Sequence, residues 1–197
     1  MGTLSVDDAS LKLHDLVSNA GATGERAVLV LGGHPTAAIV GLRDLGGLEE
    51  TIELLSSGDV VRRLAEGDAA FDAGDVLAGP SLSEIDPSGR YAKGRPNVKP
   101  GELPWELLVG GPASRTLSKL PAHISDIVVR FMFERLTSRP QQAGVELRGR
   151  LSRRFAARVE TETIIYRLDT VKHSVRVLDV LHRGGLVGHG QAAGQHW

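Results

Sequence analysis

Cysteine is absent from this chain. That excludes a disulfide scaffold and thiolate metal ligation, and fits a reducing compartment. Aromatic residues make up only 4% of the sequence and methionine occurs twice, so a core must be built from Leu, Val, Ile and Ala. No apolar run approaches the roughly 20 residues that a bilayer-spanning helix needs. The N-terminus lacks the basic-then-apolar pattern of a secretory leader. No Gly-Lys-Ser/Thr follows Gly32-Gly33, so this pair is a turn and not a phosphate loop. The expectation is a soluble cytoplasmic protein with no metal, no cofactor and no membrane contact.

The chain has 197 residues, 41% of them hydrophobic, enough for one or two small domains. Its net charge of −1 conceals an asymmetry. Residues 1–76 carry 13 Asp and Glu against 5 Lys and Arg, whereas residues 77–197 carry 11 against 18. Such a split marks an acidic element covering a basic one, a basic half that meets nucleic acid, or two domains with differently solvated surfaces.

Local patterns divide the chain further. Asp7 and Asp8 open a helix that carries Leu11, Leu13, Leu16 and Val17 to about Ala20. Arg26–Leu31 and Thr36–Val40 flank Gly32-Gly33 as a β-hairpin. Leu45, Leu48, Ile52 and Leu55 have helical spacing, and a second, acidic helix runs from about Asp59 to Phe71. Residues 77–104 hold five of the nine prolines and four glycines, which predicts a linker or extended arm. Trp105–Val109 reads as a strand. Pro112 and Pro121 each begin a helix, and strands follow at 147–152, 154–160, 163–169 and 174–181. Within them, Glu160-Thr161-Glu162-Thr163 reads as an acidic turn amid arginines. The last residues, from Gly184, are Gly-rich.

Two segments resemble known families. "LHDLVSNAGATGERAVLVLGGHPTAAIVGLRDLGGLEETIELLSS", residues 13–57, resembles the Phd/YefM antitoxins. Residues 105–152 and 164–183, with the marks "ASRTLSKLP", "LRGRLS", "ARV", "IYRLD" and "VRVLDVLHR", resemble the RelE/ParE toxins. The resemblance implies an α+β chain in four parts. Residues 1–57 are a Phd/YefM-like dimerisation and DNA-binding domain. Residues 58–104 are an acidic neutralising helix and a Pro/Gly-rich linker. Residues 105–188 are a RelE-like domain with two helices packed on an antiparallel sheet, and residues 189–197 are a tail. It also implies a fused type II toxin–antitoxin protein, neutralised by an antitoxin–toxin contact within the chain and homodimeric through the N-terminal domain, with operator DNA and the ribosome with its mRNA as partners. A short linker holds such a contact at millimolar effective concentration.

RelE-like toxins cleave mRNA on the ribosome. The 2′-hydroxyl attacks the adjacent phosphate without a metal, so Arg and Lys must carry the transition-state charge. Carried over singly, the catalytic positions fall on Arg154, Arg158 and Arg183. Arg148, Arg150 and Arg153 are candidate RNA contacts, and read equally well as the exposed face of a strand. The family's Gly-Asp-Tyr-Arg step ends here on Thr163, a frequent Lys position is Val145, and the C-terminal Tyr position is Val187. Loss of one charge donor costs on the order of 10²- to 10³-fold in rate, so the nuclease is expected to be weakened or inactive. His182 reads as a structural histidine. In the antitoxin half, Ser10 and Leu31 stand where the family has arginines. Lys12 and Arg26 remain as DNA-binding candidates, and read first as ordinary solvated cations. The alternatives are a DNA-binding autoregulator of its own operon, and a ParE-like toxin acting on gyrase.

Overall fold

The computed structural model describes residues 2–87, 89 and 103–182. Arg183, Val187, the tail and most of the expected linker lie outside them. The chain divides into two compact units, 1–50 and 51–197.

In the first unit, β1 (Gly2–Ser5) runs parallel to β2 (Ala27–Leu31), which pairs antiparallel with β3 (His34–Ile39). The hairpin turn needs positive φ at two successive residues, and Gly32 and Gly33 supply it at 59° and 82°. The single helix expected from Asp7 is two: α1 (Val6–Leu11) and α2 (Leu13–Thr23). Ser5 caps α1, its Oγ accepting from the Asp8 N–H at 3.1 Å. Lys12, at φ −117°, breaks the run. Among the described residues of this unit, the buried apolar side chains are Ala9, Ala20 and Ala27, none of them large. A Cβ on Gly41 would stand 2.2 Å from the Ala20 carbonyl oxygen, so this close approach requires glycine. α3 (Leu42–Leu55) runs across the division between the units.

The second unit begins with the end of α3 and with α4 (Gly58–Ala73). Ser57 caps α4 through the Val60 N–H, and Gly74 closes it in the left-handed conformation. Val60, Leu64, Gly67 and Ala70 form its buried stripe. Next come β4 (Val76–Ala78), β5 (Glu106–Gly110), α5 (Gly111–Leu117), α6 (Ala122–Phe131), a π-helical turn at Met132–Leu136 and α7 (Pro140–Ala143). β6 (Val145–Glu146), β7 (Arg154–Val159), β8 (Glu162–Asp169) and β9 (Ser174–His182) complete it. The six strands lie in the order β4-β5-β9-β8-β7-β6, with β5 parallel to β9 and the other pairs antiparallel.

Both faces of this sheet are covered. Val109, Ala113, Leu117, Val128, Met132, Ile164, Tyr166, Val177 and Val180 form the larger core with α5 and α6. On the other side, Leu54 of α3 and Val60 and Leu64 of α4 pack on Ala156, Ile165, Leu178 and Leu181. Alternate strand residues face opposite sides, so the two clusters draw on neighbouring positions of the same strands. α4 comes especially close, since a Cβ on Gly67 would meet the Leu178 carbonyl oxygen at 2.7 Å.

Three further expectations are corrected. Residues 77–84 are not linker: Val76–Ala78 pairs with β5, and the 3₁₀ turn Gly79–Glu84 buries Leu82 in the larger core. No strand covers 147–152. Gly149, at φ 56°, breaks the extended run, and Gly149–Leu151 is a 3₁₀ turn. The acidic turn consists of Glu160 and Thr161 alone, with Glu160 at φ 54°; Glu162 and Thr163 are buried strand residues of β8.

Candidate functional site

Strand register brings together arginines that are distant in sequence. Arg154 of β7 pairs with Arg167 of β8, and Arg167 pairs with Arg176 of β9. Like charges directly opposed across strands repel, so a row of three guanidinium groups needs compensation. α4 supplies part of it. Asp68 accepts from Arg154 Nη2 at 2.5 Å through one carboxylate oxygen and from Arg167 Nη1 at 2.7 Å through the other. Arg176 donates to Asp169 at 2.6 Å, and its guanidinium lies 5.7 Å from the centre of the Phe71 ring. The Lys172 N–H, then Arg176, hold the Asp169 carboxyl below its ordinary range.

Further along the same face, Arg158 donates to Glu53 of α3 at 3.1 Å. Its partner across the β7–β8 ladder is the fully buried Thr163. Arg148 is half-buried, and its N–H donates to Thr51 Oγ1 at 2.8 Å. Arg150 is exposed on the 3₁₀ turn, and Arg153, at φ 66°, is exposed before β7. The three therefore do not form one strand face. Arg153 does join Arg167 and Arg176 around a cleft of about 520 Å³ that also includes Glu146 and Asp169.

One ion pair is inverted, with the cation on α4 and the carboxylate on the sheet. Arg63 donates to both oxygens of Asp179 at 2.8 Å and to the Val180 carbonyl oxygen at 3.1 Å. Asp179 is fully buried, and burial raises its pKa against the opposing effect of Arg63. In the first unit, Arg26 Nε donates to Asp44 at 2.6 Å and Lys12 is exposed between α1 and α2. That hydrogen bond and the Asp44 charge raise the Arg26 pKa further.

The sequence singled out Arg154 and Arg158, and placed Asp68 on the acidic helix expected to cover a basic surface, but did not single out Arg167, Arg176, Glu53 or the Arg63–Asp179 pair. A signal was available: charged residues interrupt β8 and β9 in otherwise apolar runs. Among the described residues, no group of three or more His, Asp or Glu is placed to hold a metal ion, and no helix is long and apolar enough to cross a membrane.

No family model matches the chain. Among individual proteins, toxin RelG of Mycobacterium tuberculosis is 36% identical over 84 residues, which span 43% of this chain and 97% of RelG. Antitoxin RelB of the same organism is 30% identical over 91 residues, 46% of this chain and 97% of RelB. Toxin RelE, also from that organism, is 29% identical over 80 residues, 41% of this chain and 82% of RelE. A chain in the crystal structure of the M. tuberculosis toxin–antitoxin complex RelBE2 is 37% identical, is covered in full by 41% of this chain, and superposes with a TM-score of 0.40. Nearly the whole of a toxin and nearly the whole of an antitoxin thus find counterparts in one polypeptide, and the chain belongs to both the RelG toxin family and the RelB antitoxin family, as a toxin–antitoxin module.

Proposed function

We propose that this module is neutralised in cis: the segment from Glu53 to Asp68 covers the basic face of a RelE-like, ribosome-dependent mRNA endonuclease domain whose cleavage step is weakened or absent. The observation that carries this reading is Asp68, which spans Arg154 and Arg167 as an oxyanion would. An RNA phosphate must displace that carboxylate, and each charge-assisted hydrogen bond is worth roughly 1.5–3 kcal/mol. α4 is tethered, so its effective concentration exceeds that of a free competitor. The weakened chemistry is supported by Thr163, buried beside Arg158 where the family carries an arginine, and by the carboxylate of Asp179 on the neighbouring strand.

The first unit is read as a Phd/YefM-like element that pairs with a second copy. Operator DNA would find Arg26 already engaged by Asp44.

The test uses the full chain with Glu53→Ala and Asp68→Ala together. Binding of single-stranded RNA should tighten about tenfold or more and become more salt-sensitive, while a bacterial host grows normally. Unchanged RNA binding would rule out the covering role. Growth arrest by the double variant alone would show a fully competent nuclease.

A further inference from the structure

We propose that a second cleft, between α4, α5 and the end of β9, binds the phosphate group of a phosphate ester. It lies away from the arginine row, and α4 helps to form it.

The cleft has a volume of about 400 Å³ and is lined by Arg62, Arg63, Arg115, Thr116, Lys119 and His182, with Pro112 and Val180 between them. One carboxylate, Glu66, shares the lining and is held by Arg62 at 2.7 Å. Arg63 is committed to Asp179. Arg62 and Arg115 remain 63% exposed, the latter in a long 3.3 Å contact with Asp75. Arg62 is also held by Asp59, so the cations placed to close on a ligand are Arg115 and Lys119, both exposed on long side chains. The volume falls within the range of small-molecule sites and suits a nucleotide rather than an extended strand.

His182 gives the cleft a specific device. Strand register sets Glu162 opposite His182, and Glu162 Oε1 lies 2.7 Å from His182 Nδ1. The Thr161 hydroxyl donates to the same oxygen at 3.0 Å. The Glu162 side chain is 1% exposed, and its Oε2 has no protein partner among the described residues. A carboxylate buried so incompletely satisfied is costly. Behind a histidine it has a use: it accepts from Nδ1–H, fixes the ring and leaves Nε2 for a ligand. The ring thus stands between this carboxylate on one side and the cleft on the other, placed to touch a bound phosphate through Nε2. The lining residues come from α4, α5 and the turn after it, and β9, so the ligand binds only when α4 is docked. By linkage it then stabilises the docked state.

Isothermal titration of the full chain with inorganic pyrophosphate, ADP and a 5′-phosphorylated RNA tetramer tests this proposal. Saturable binding is expected, together with a raised melting temperature and movement of the His182 ring ¹⁵N signals. Lys119→Ala and Arg115→Ala, both at exposed positions, should each weaken binding about fivefold, as for an exposed charged contact. The tighter of ADP and RNA identifies the source of the phosphate. Absence of saturable binding would overturn the proposal. So would binding that survives both alanine variants and is lost in Arg167→Ala, which would place the ligand in the cleft beside the arginine row. The cis-neutralisation reading is scored separately, by RNA binding to the Glu53/Asp68 variant.

Discussion

Arg63 and Asp179 hold each other in a largely dry place. Asp179 is fully buried, and the Arg63 side chain is 30% exposed. The carboxylate also accepts from Thr116 Oγ1 and from its neighbouring Val180 N–H, so nearly every lone pair is used. Such pairs cost about as much to desolvate as their attraction returns, yet breaking one side strands a buried charge. Arg63→Met is therefore expected to cost about 3 kcal/mol at neutral pH in urea unfolding. Arg63→Met combined with Asp179→Val should recover most of the loss. The sign with pH follows from the raised carboxyl pKa. A group more easily protonated in the fold favours the folded state at low pH, and that contribution is lost as pH rises through the folded pKa. Without Arg63 the carboxyl rises further, so the Met variant should lose stability with rising pH more steeply than the wild type. Parallel pH curves for the two proteins would refute the assignment.

At the scale of the element, α4 is held to the sheet by shape as well as charge. Gly67 lies against the backbone of Leu178, and backbone cannot move aside as a side chain can. Gly67→Ala should thus lower stability by about 1–3 kcal/mol through overpacking, although alanine is the better helix former. Gly58, in the first turn of the same helix, has open space around a built Cβ. There the same change should be neutral or stabilise by a few tenths of a kcal/mol. Thermal unfolding of the two variants separates packing from propensity, and equal effects would deny α4 its close approach. Helix α4 was itself legible in the sequence from the spacing of Val60, Leu64 and Phe71, as were the Gly32-Gly33 hairpin and strands β7, β8 and β9. β4 was not: three residues bounded by Gly74, Gly79 and Pro80 resemble a linker until β5 is present to pair with them. The 3₁₀ turn at Gly149 was missed because Leu147 and Leu151 imitate strand alternation. The site was legible only in part, because the Arg154–Arg167–Arg176 row depends on register. A bulge at Ile165/Tyr166 shifts that register, and no local pattern announces it.

Across the whole molecule, the two units have unequal claims to stability. The second encloses two apolar clusters around its sheet, whereas the first, among its described apolar residues, buries only alanines while Leu11, at 85% exposure, Leu13, Val17 and Leu31 face outward. Fifty residues with so small a core fall short of what folds independently. Isolated exposed leucines are ordinary, but this many in one small unit with no large buried apolar side chain among its described residues call for a covering surface. A second copy, as proposed above, would supply one of matching character, and a standard interface of about 1,200–2,000 Å² would bury much of this set. Light scattering after size exclusion should therefore report twice the chain mass at micromolar concentration. Val17→Glu together with Leu31→Glu should shift the protein towards the monomer while leaving the sheet of the second unit folded. RNA binding should be no tighter in that monomer, because Asp68, Arg154 and Arg167 all belong to the second unit. A wild-type protein that runs as a monomer at every concentration would leave the apolar surface of the first unit without its proposed partner. A dissociated variant that gains RNA affinity would show that neutralisation needs the dimer rather than the single chain.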